Sequence, residues 1–187
     1  MNAEKADVVD LLVGQHRRIE DLFQALRSGS ENKQNLFDEL VRLLAVHETA
    51  EEEVVHPAAQ RAQFGAKPMV ENRLAEESQA KNDLAELYDL GVDHREFDEK
   101  LSTFAQAVLD HAQHEENEEF PLLRQSFSEN HLDHMANSVR AAEAFAPTRP
   151  HPHAGESRAA NFLAGPPLAV FDRVRDALRD VRKPDEE

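Results

Sequence analysis

Two short segments hold the side chains best suited to chemistry. "HETAEEEVVHP" runs from His47 to Pro57 and "HAQHEENEEFP" from His111 to Pro121; both read His, three residues, Glu-Glu, four residues, Pro. In each, a histidine and a glutamate stand four apart (His47 and Glu51, His111 and Glu115), so on a helix they share a face one turn apart. Each pair also continues an apolar stripe, from Leu40 and Leu44 in one case and from Phe104 and Val108 in the other. Leading a core stripe into ionisable groups is costly, because a buried carboxylate has to be paired or bound to a metal. Imidazole nitrogen and carboxylate oxygen together suit iron, manganese or zinc. Two carboxylates could bridge two such ions while each histidine terminates one.

Two further residues fit the same layer. His16 lies among Val13, Ile19 and Phe23, and Glu77 has Leu74, Ala80 and Leu84 at the corresponding offsets. Glu76 competes with Glu77; it lies about 100° away around the helix and would be chosen only if the helix were rotated. The candidate metal-ligating set is therefore His16, His47, Glu51, Glu77, His111 and Glu115. Four solvated helix faces with charged stripes are the bland alternative.

The elements that must position this set are helices. Leu12, Ile19, Leu22, Phe23 and Leu26 mark one face of a first helix, from about Lys5 to Arg27. "SGSENK" is a turn with Ser30 as a cap. A second helix opens at Leu36 and Phe37 and reaches Pro57, or continues kinked to Phe64. A third runs from about Met69 to Leu90, with Leu74, Leu84 and Leu87 inward. A fourth begins near Glu96, uses Phe97, Leu101, Phe104 and Val108, and reaches Pro121 or beyond. Strand signals are nearly absent. Four long helices with short connections predict an all-α, up-down-up-down antiparallel four-helix bundle. The repeat falls on helices two and four, so the chain reads as two helix hairpins in approximate two-fold symmetry. Glu129 to Phe145 adds a short fifth helix, completing a unit of residues 1–145. Residues 146–187 hold a Pro-rich linker, "APTRPHPHAGES", and an amphipathic helix, "LAVFDRVRDALRDVRK". That last helix has three possible fates: packing on the bundle, pairing with another chain, or moving freely.

Composition narrows the function. The chain has 187 residues and no cysteine, which excludes disulfides and thiolate metal sites. A net charge of −16 disfavours nucleic acid as a partner. No stretch approaches the apolar length of a membrane span and no signal peptide is evident, so a cytoplasmic protein is expected. Phosphate-binding loops and nucleophile elbows are missing, which leaves hydrolase and kinase readings without support.

With "LLVGQHRRIEDLF", "HETAEEEVVHP" and "HAQHEENEEFP" the chain resembles the hemerythrin-like family, the HHE cation-binding domains, over roughly residues 5–145. The resemblance implies a four-helix bundle holding two non-haem iron ions, oxo- or hydroxo-bridged. It implies a small-molecule partner such as peroxide, oxygen or nitric oxide. His16, His47, Glu51, His111 and Glu115 fall on the family's ligand positions. Oxygen-carrying members place two histidines four apart on the third helix, whereas "LAEESQAKNDL" has none; Glu77 replaces at most one, and Lys81 stands four residues on. Hard carboxylate donors favour ferric iron. The expectation is thus a redox or peroxide-reactive di-iron protein active in peroxide decomposition and oxidative-stress handling, with a catalase-like or peroxidase-like activity. The alternative is a sensor or binder of oxygen, nitric oxide or iron, signalling through the C-terminal segment to a partner or a second copy. Iron storage and a metal-free interaction module are weaker readings.

Several residues near the motifs stay open. His56 and His114 lie off the motif register and read first as solvated surface histidines, with a supporting role behind a ligand or a proton relay as the alternative. Glu52 and Glu116 follow the candidate ligands and are expected to face water or to accept from groups behind them. Tyr88 is about three turns from Glu77, too far to ligate. "HLDHM" and "HPH" hold four histidines suited at most to adventitious metal.

Overall fold

The computed structural model describes residues 6–29, 32–62, 65–145 and 167–182. The linker with His151 and His153, the cap at Ser30, the helix start at Lys5 and the helix end at Phe64 lie outside these residues.

Helix α1 spans Val8–Arg27 and opens on a capping box: Asp7 accepts from the Asp10 N–H, and the Asp10 carboxylate accepts from the Asp7 N–H. Helix α2 spans Lys33–Ala50 and passes through a π turn, Glu51–Val55, into α3, His56–Ala62. Helix α4 spans Lys67–Leu90, starting two residues before the expected Met69 because Pro68 sits in the first turn, where its missing N–H costs nothing. It stops at Gly91, whose φ of 80° suits glycine. Helix α5 spans Phe97–His114 and passes through a second π turn, Glu115–Glu119, into α6, Phe120–Ser126. Helices α7 (Glu129–Phe145) and α8 (Pro167–Arg182) follow. The first, α2 with α3, α4, and α5 with α6 form the antiparallel four-helix bundle.

The two π turns sit at the same offset as the sequence repeat, and a proline follows each closely. Pro57 and Pro121 cannot donate, and each ring crowds the carbonyl four residues back. A turn closed by an i→i+5 bond (His56 N–H to the Glu51 carbonyl, Phe120 N–H to the Glu115 carbonyl) absorbs that conflict without a sharp kink.

The bundle interior has three layers. One apolar cluster gathers Ile19, Phe23, Phe37, Leu40, Leu84, Phe97 and Phe104 near one end; a second gathers Leu12, Val55, Val70, Phe120 and Leu123 near the other. The candidate ligands lie between them, so the folding energy of two apolar cores holds a polar layer in place. Leu74, expected inward, is half-buried at the second cluster.

Of the three fates open to the C-terminal helix, the structure shows packing on the bundle. Helix α8 lies against α2, α4 and α7 and contributes Val170, Phe171 and Val174 to the first core cluster. Arg175 donates to Glu52 at 2.8 Å, and Lys81 also donates to Glu52. Burial opposes charge on Glu52, but these two cations outweigh it and hold the carboxyl below its ordinary range. Replacing Phe171, 3% exposed, by alanine is expected to cost about 3–5 kcal/mol. Urea unfolding of the full chain checks this; a loss under about 1 kcal/mol would mean that α8 contributes little to the core.

Candidate metal centre

The six candidate side chains converge. His16, His47, Glu51 and Glu115 form one group, and Glu51, Glu77, His111 and Glu115 a second; within each, one donor atom per residue lies within 4.8 Å of the others. Glu51 and Glu115 belong to both groups. Glu77 faces inward and is fully buried, whereas Glu76 is one-third exposed.

Each histidine is oriented from behind. His16 Nδ1 lies 2.9 Å from Glu116, which also accepts from Arg17. His47 Nδ1 lies 2.8 Å from the Gln15 amide oxygen, and the Gln15 amide nitrogen donates to Glu143. His111 Nδ1 lies 2.8 Å from Glu76, which accepts from Arg73 as well. In each case the Nδ1–H can donate to that acceptor, which turns Nε2 to the interior, where the neutral imidazole presents a lone pair.

The interior atoms that result lack partners. Both oxygens of Glu51, both oxygens of Glu115, Glu77 Oε2 and His111 Nε2 are buried without a hydrogen bond. The Nε2 atoms of His16 and His47 stand 3.0 Å apart, lone pair against lone pair under this tautomer assignment. Buried polar atoms are seldom left so. Cations between them would satisfy all of these atoms at once, and nitrogen plus carboxylate is a donor set for iron, manganese or zinc. The residues fit a metal centre.

In the protein without metal the electrostatics differ from group to group. Burial, then the neighbouring Glu115, pushes the Glu51 carboxyl well above its usual range. Burial also raises Glu77, against the pull of His56. Glu115 goes the other way: burial is outweighed by the His111 and His16 imidazoles, each 3.3 Å from one of its oxygens, which hold it well below. Burial and the proximity of His16 push His47 well down, while Glu115 outweighs burial at His111 and raises it to about 10.

His56 corrects an expectation. It is not a solvated surface residue but 2% exposed, with Nδ1 2.8 Å from Glu119 and Nε2 bonded to Glu77. Burial opposes its charge, but the two carboxylates prevail and raise it to about 10, so it is an imidazolium counter-ion beneath the centre. The π turn is the cause: its i→i+5 step sets His56 one turn beyond Glu51, on the inner face. His114 is half-exposed, 3.2 Å from Glu76. Glu52 does not face water; it is engaged by Lys81 and Arg175, and the Lys81 amine stands 3.7 Å from Glu77. His131 stacks on Phe127, and Tyr88 packs against the first core cluster.

Sequence reasoning missed Glu48, Gln15, Arg73 and Glu119, all buried. Glu48 lies near Glu77 and His111, and burial, then Glu77, raises its carboxyl to about 8. The two prolines were the available signal for His56 and Glu119. Gln15 is fixed by His47 and Glu143, both distant in sequence, and Arg73 by Glu76 three residues on together with the distant Glu118.

Comparisons with known proteins agree with this geometry. The chain is 28% identical over 178 residues to a hemerythrin-like protein of Schizosaccharomyces pombe, covering 91% of this chain and 86% of that one. It is 24% identical over 139 residues to a DNA nickase of Nostoc, covering 73% of this chain but only 39% of the nickase. A crystal structure of a hemerythrin HHE cation binding domain-containing protein from Mycobacterium kansasii superposes with a TM-score of 0.64 at 21% identity, covering 73% of this chain and 85% of that one, a likeness of fold. The hemerythrin HHE cation binding domain model matches residues 7–123, and with the bundle and its His/Glu groups in place the chain belongs to that family.

Proposed function

We propose that this chain is a non-haem di-iron protein that reacts with peroxide, holding its ions through His16, His47, Glu51, Glu77, His111 and Glu115. Family members bind metal ions, usually iron. The observation that carries the reading is the pair of four-residue groups sharing Glu51 and Glu115, with their inner atoms unpartnered. Iron bound there would supply redox steps and a position for a small oxygen-containing molecule. The chain's own residues supply the rest. Three carboxylates and three imidazoles favour the ferric state, which opposes reversible oxygen carriage. Apolar clusters on both sides exclude water. Burial, then Glu77, raises Glu48 to about 8 in the metal-free chain, which places a group able to take up or release a proton beside His111. Glu76, touching His111 and His114, links the centre to a half-exposed imidazole able to exchange protons with solvent.

A second reading, sensing of oxygen, nitric oxide or iron, is favoured by one feature: the chain Glu77, Lys81, Glu52, Arg175, which runs from the centre to α8. Small molecules are the partners in both readings. Nucleic acid is disfavoured as a partner, since a net charge of −16 repels a polyanion, and no helix among the described residues is long and apolar enough to cross a membrane.

Metal content and the absorption spectrum of freshly purified protein test the proposal, with His111→Ala alongside. Two irons per chain and near-ultraviolet bands are expected, both diminished in the variant, with iron-dependent oxygen release at one O₂ per two peroxides. Protein that binds oxygen reversibly over many cycles without oxidation would overturn the peroxide reading. Wild type free of iron and stably folded in chelator would overturn the metal centre.

A further inference from the structure

We propose that the groove between α4 and α5 is the route by which a divalent cation loads the centre, with Glu48 as the last donor it meets on the way. This rests on the metal-centre reading above. Two recesses adjoin along the groove and share Asp83. The outer one, about 340 Å³, is lined by Glu86, Glu96 and Glu99, with Lys100 already held by Glu86 at 3.1 Å. The inner one, about 270 Å³, has Asp83, Asp110 and His114 around it, Ala80 and Ala107 as small walls, and Glu48 and His111 among its lining residues.

Two buried donors on the inner recess point to a cation. Glu48 is 3% exposed and its Oε2 has no partner; His111 is 6% exposed and its Nε2 has none. His111 is also a member of the second candidate group, so this recess ends at the centre itself. The opposite recess, between α1 and α6, is larger at about 560 Å³ but stops at Phe120 and Glu116, and Glu116 is already engaged by His16 and Arg17. Size therefore does not identify the route; donors and charge do. Carboxylates spaced along the groove let a cation exchange its waters stepwise, and their summed field draws cations inward while repelling anions. Ala80 and Ala107 add little bulk to the inner recess.

The test follows cobalt(II) uptake by metal-free protein in a stopped-flow instrument, reading the visible bands of bound cobalt at low and physiological ionic strength. The variants are Asp83→Lys with Asp110→Lys, and Glu71→Lys as a control on exposed α4 surface. The double variant is expected to load about 10-fold more slowly or worse at low salt, with a flattened salt dependence and an unchanged final cobalt content. Glu48→Gln should slow loading without changing that content. Wild-type loading rates in the double variant would overturn the route, and reduced cobalt content in Glu48→Gln would overturn the transit role by making Glu48 a resident donor. Wild type that takes up no cobalt would instead overturn the metal centre, a result distinct from both.

Discussion

Metal-free protein carrying Glu51→Gln is expected to be more stable than metal-free wild type, yet to have lost its metal. The two effects share one cause. Glu51 is fully buried, neither oxygen has a hydrogen bond, and burial with Glu115 nearby pushes its carboxyl well above the usual range. A carboxyl raised in the folded state binds protons more tightly there than in the unfolded chain, so it costs stability once pH exceeds its ordinary value. Glutamine keeps the shape and removes the charge. Replacing buried charges by neutral groups of similar volume commonly stabilises by roughly 1–4 kcal/mol, and each kcal/mol moves the midpoint by about 2–4 °C at this chain length. Metal affinity should fall by more than the ~10–100-fold lost when a residue behind a ligand is changed, because Glu51 belongs to both groups.

The same reasoning gives a pH dependence. Between pH 6.5 and 8, Glu48 (about 8), Glu51 (well raised), and His56 and His111 (both about 10) bind more protons folded than unfolded, while His47, pushed well down, binds fewer. Metal-free wild type should therefore lose stability as pH rises through that window. Bound cations should flatten the dependence, and Glu51→Gln should reduce it. Calorimetry of chelator-stripped and loaded protein across the window decides. Equal midpoints for the two stripped proteins would mean that Glu51 carries no uncompensated charge.

The six candidate side chains were legible because they sit where α-helical periodicity still holds. His47 and Glu51, like His111 and Glu115, end an unbroken run of turns that begins in apolar core, so a 3.6-residue period carries the stripe correctly to the centre. Past Glu51 and Glu115 the period changes, and the reading lost the inner face. His56 and Glu119 lie within or just beyond the π turns, where counting in threes and fours puts them on the wrong side. Glu48 was hidden for a different reason. It shares a crevice with Phe171 and Lys81, so its burial depends on α8 docking, and the sequence left that helix three fates. The partners that orient the histidines come from sequence-distant pairs, such as Gln15 with His47 and Glu116 with His16, and only the packed bundle brings these together.

His56→Leu is expected to cost about 3–5 kcal/mol, the usual loss when one partner of a buried ion pair is removed. The imidazolium bonds both Glu77 and Glu119, and both carboxylates are fully buried. Leucine fills the space but leaves two acids facing each other's charge with no cation between them. Adding Glu119→Leu removes one of the stranded acids and should return a substantial part of the loss, a coupling of roughly 1–3 kcal/mol in a double-mutant cycle. Additivity within about 0.5 kcal/mol would show that His56 and Glu119 act independently. The pH profile separates charge from packing. Because His56 is raised to about 10, its contribution is complete below pH 6.5 and is lost as pH rises through 10. Wild type should therefore weaken between pH 8 and 10 more steeply than His56→Leu does. A parallel decline in the two proteins would assign the loss to shape rather than to the imidazolium, and Glu77 would then be held in place by Lys81 alone.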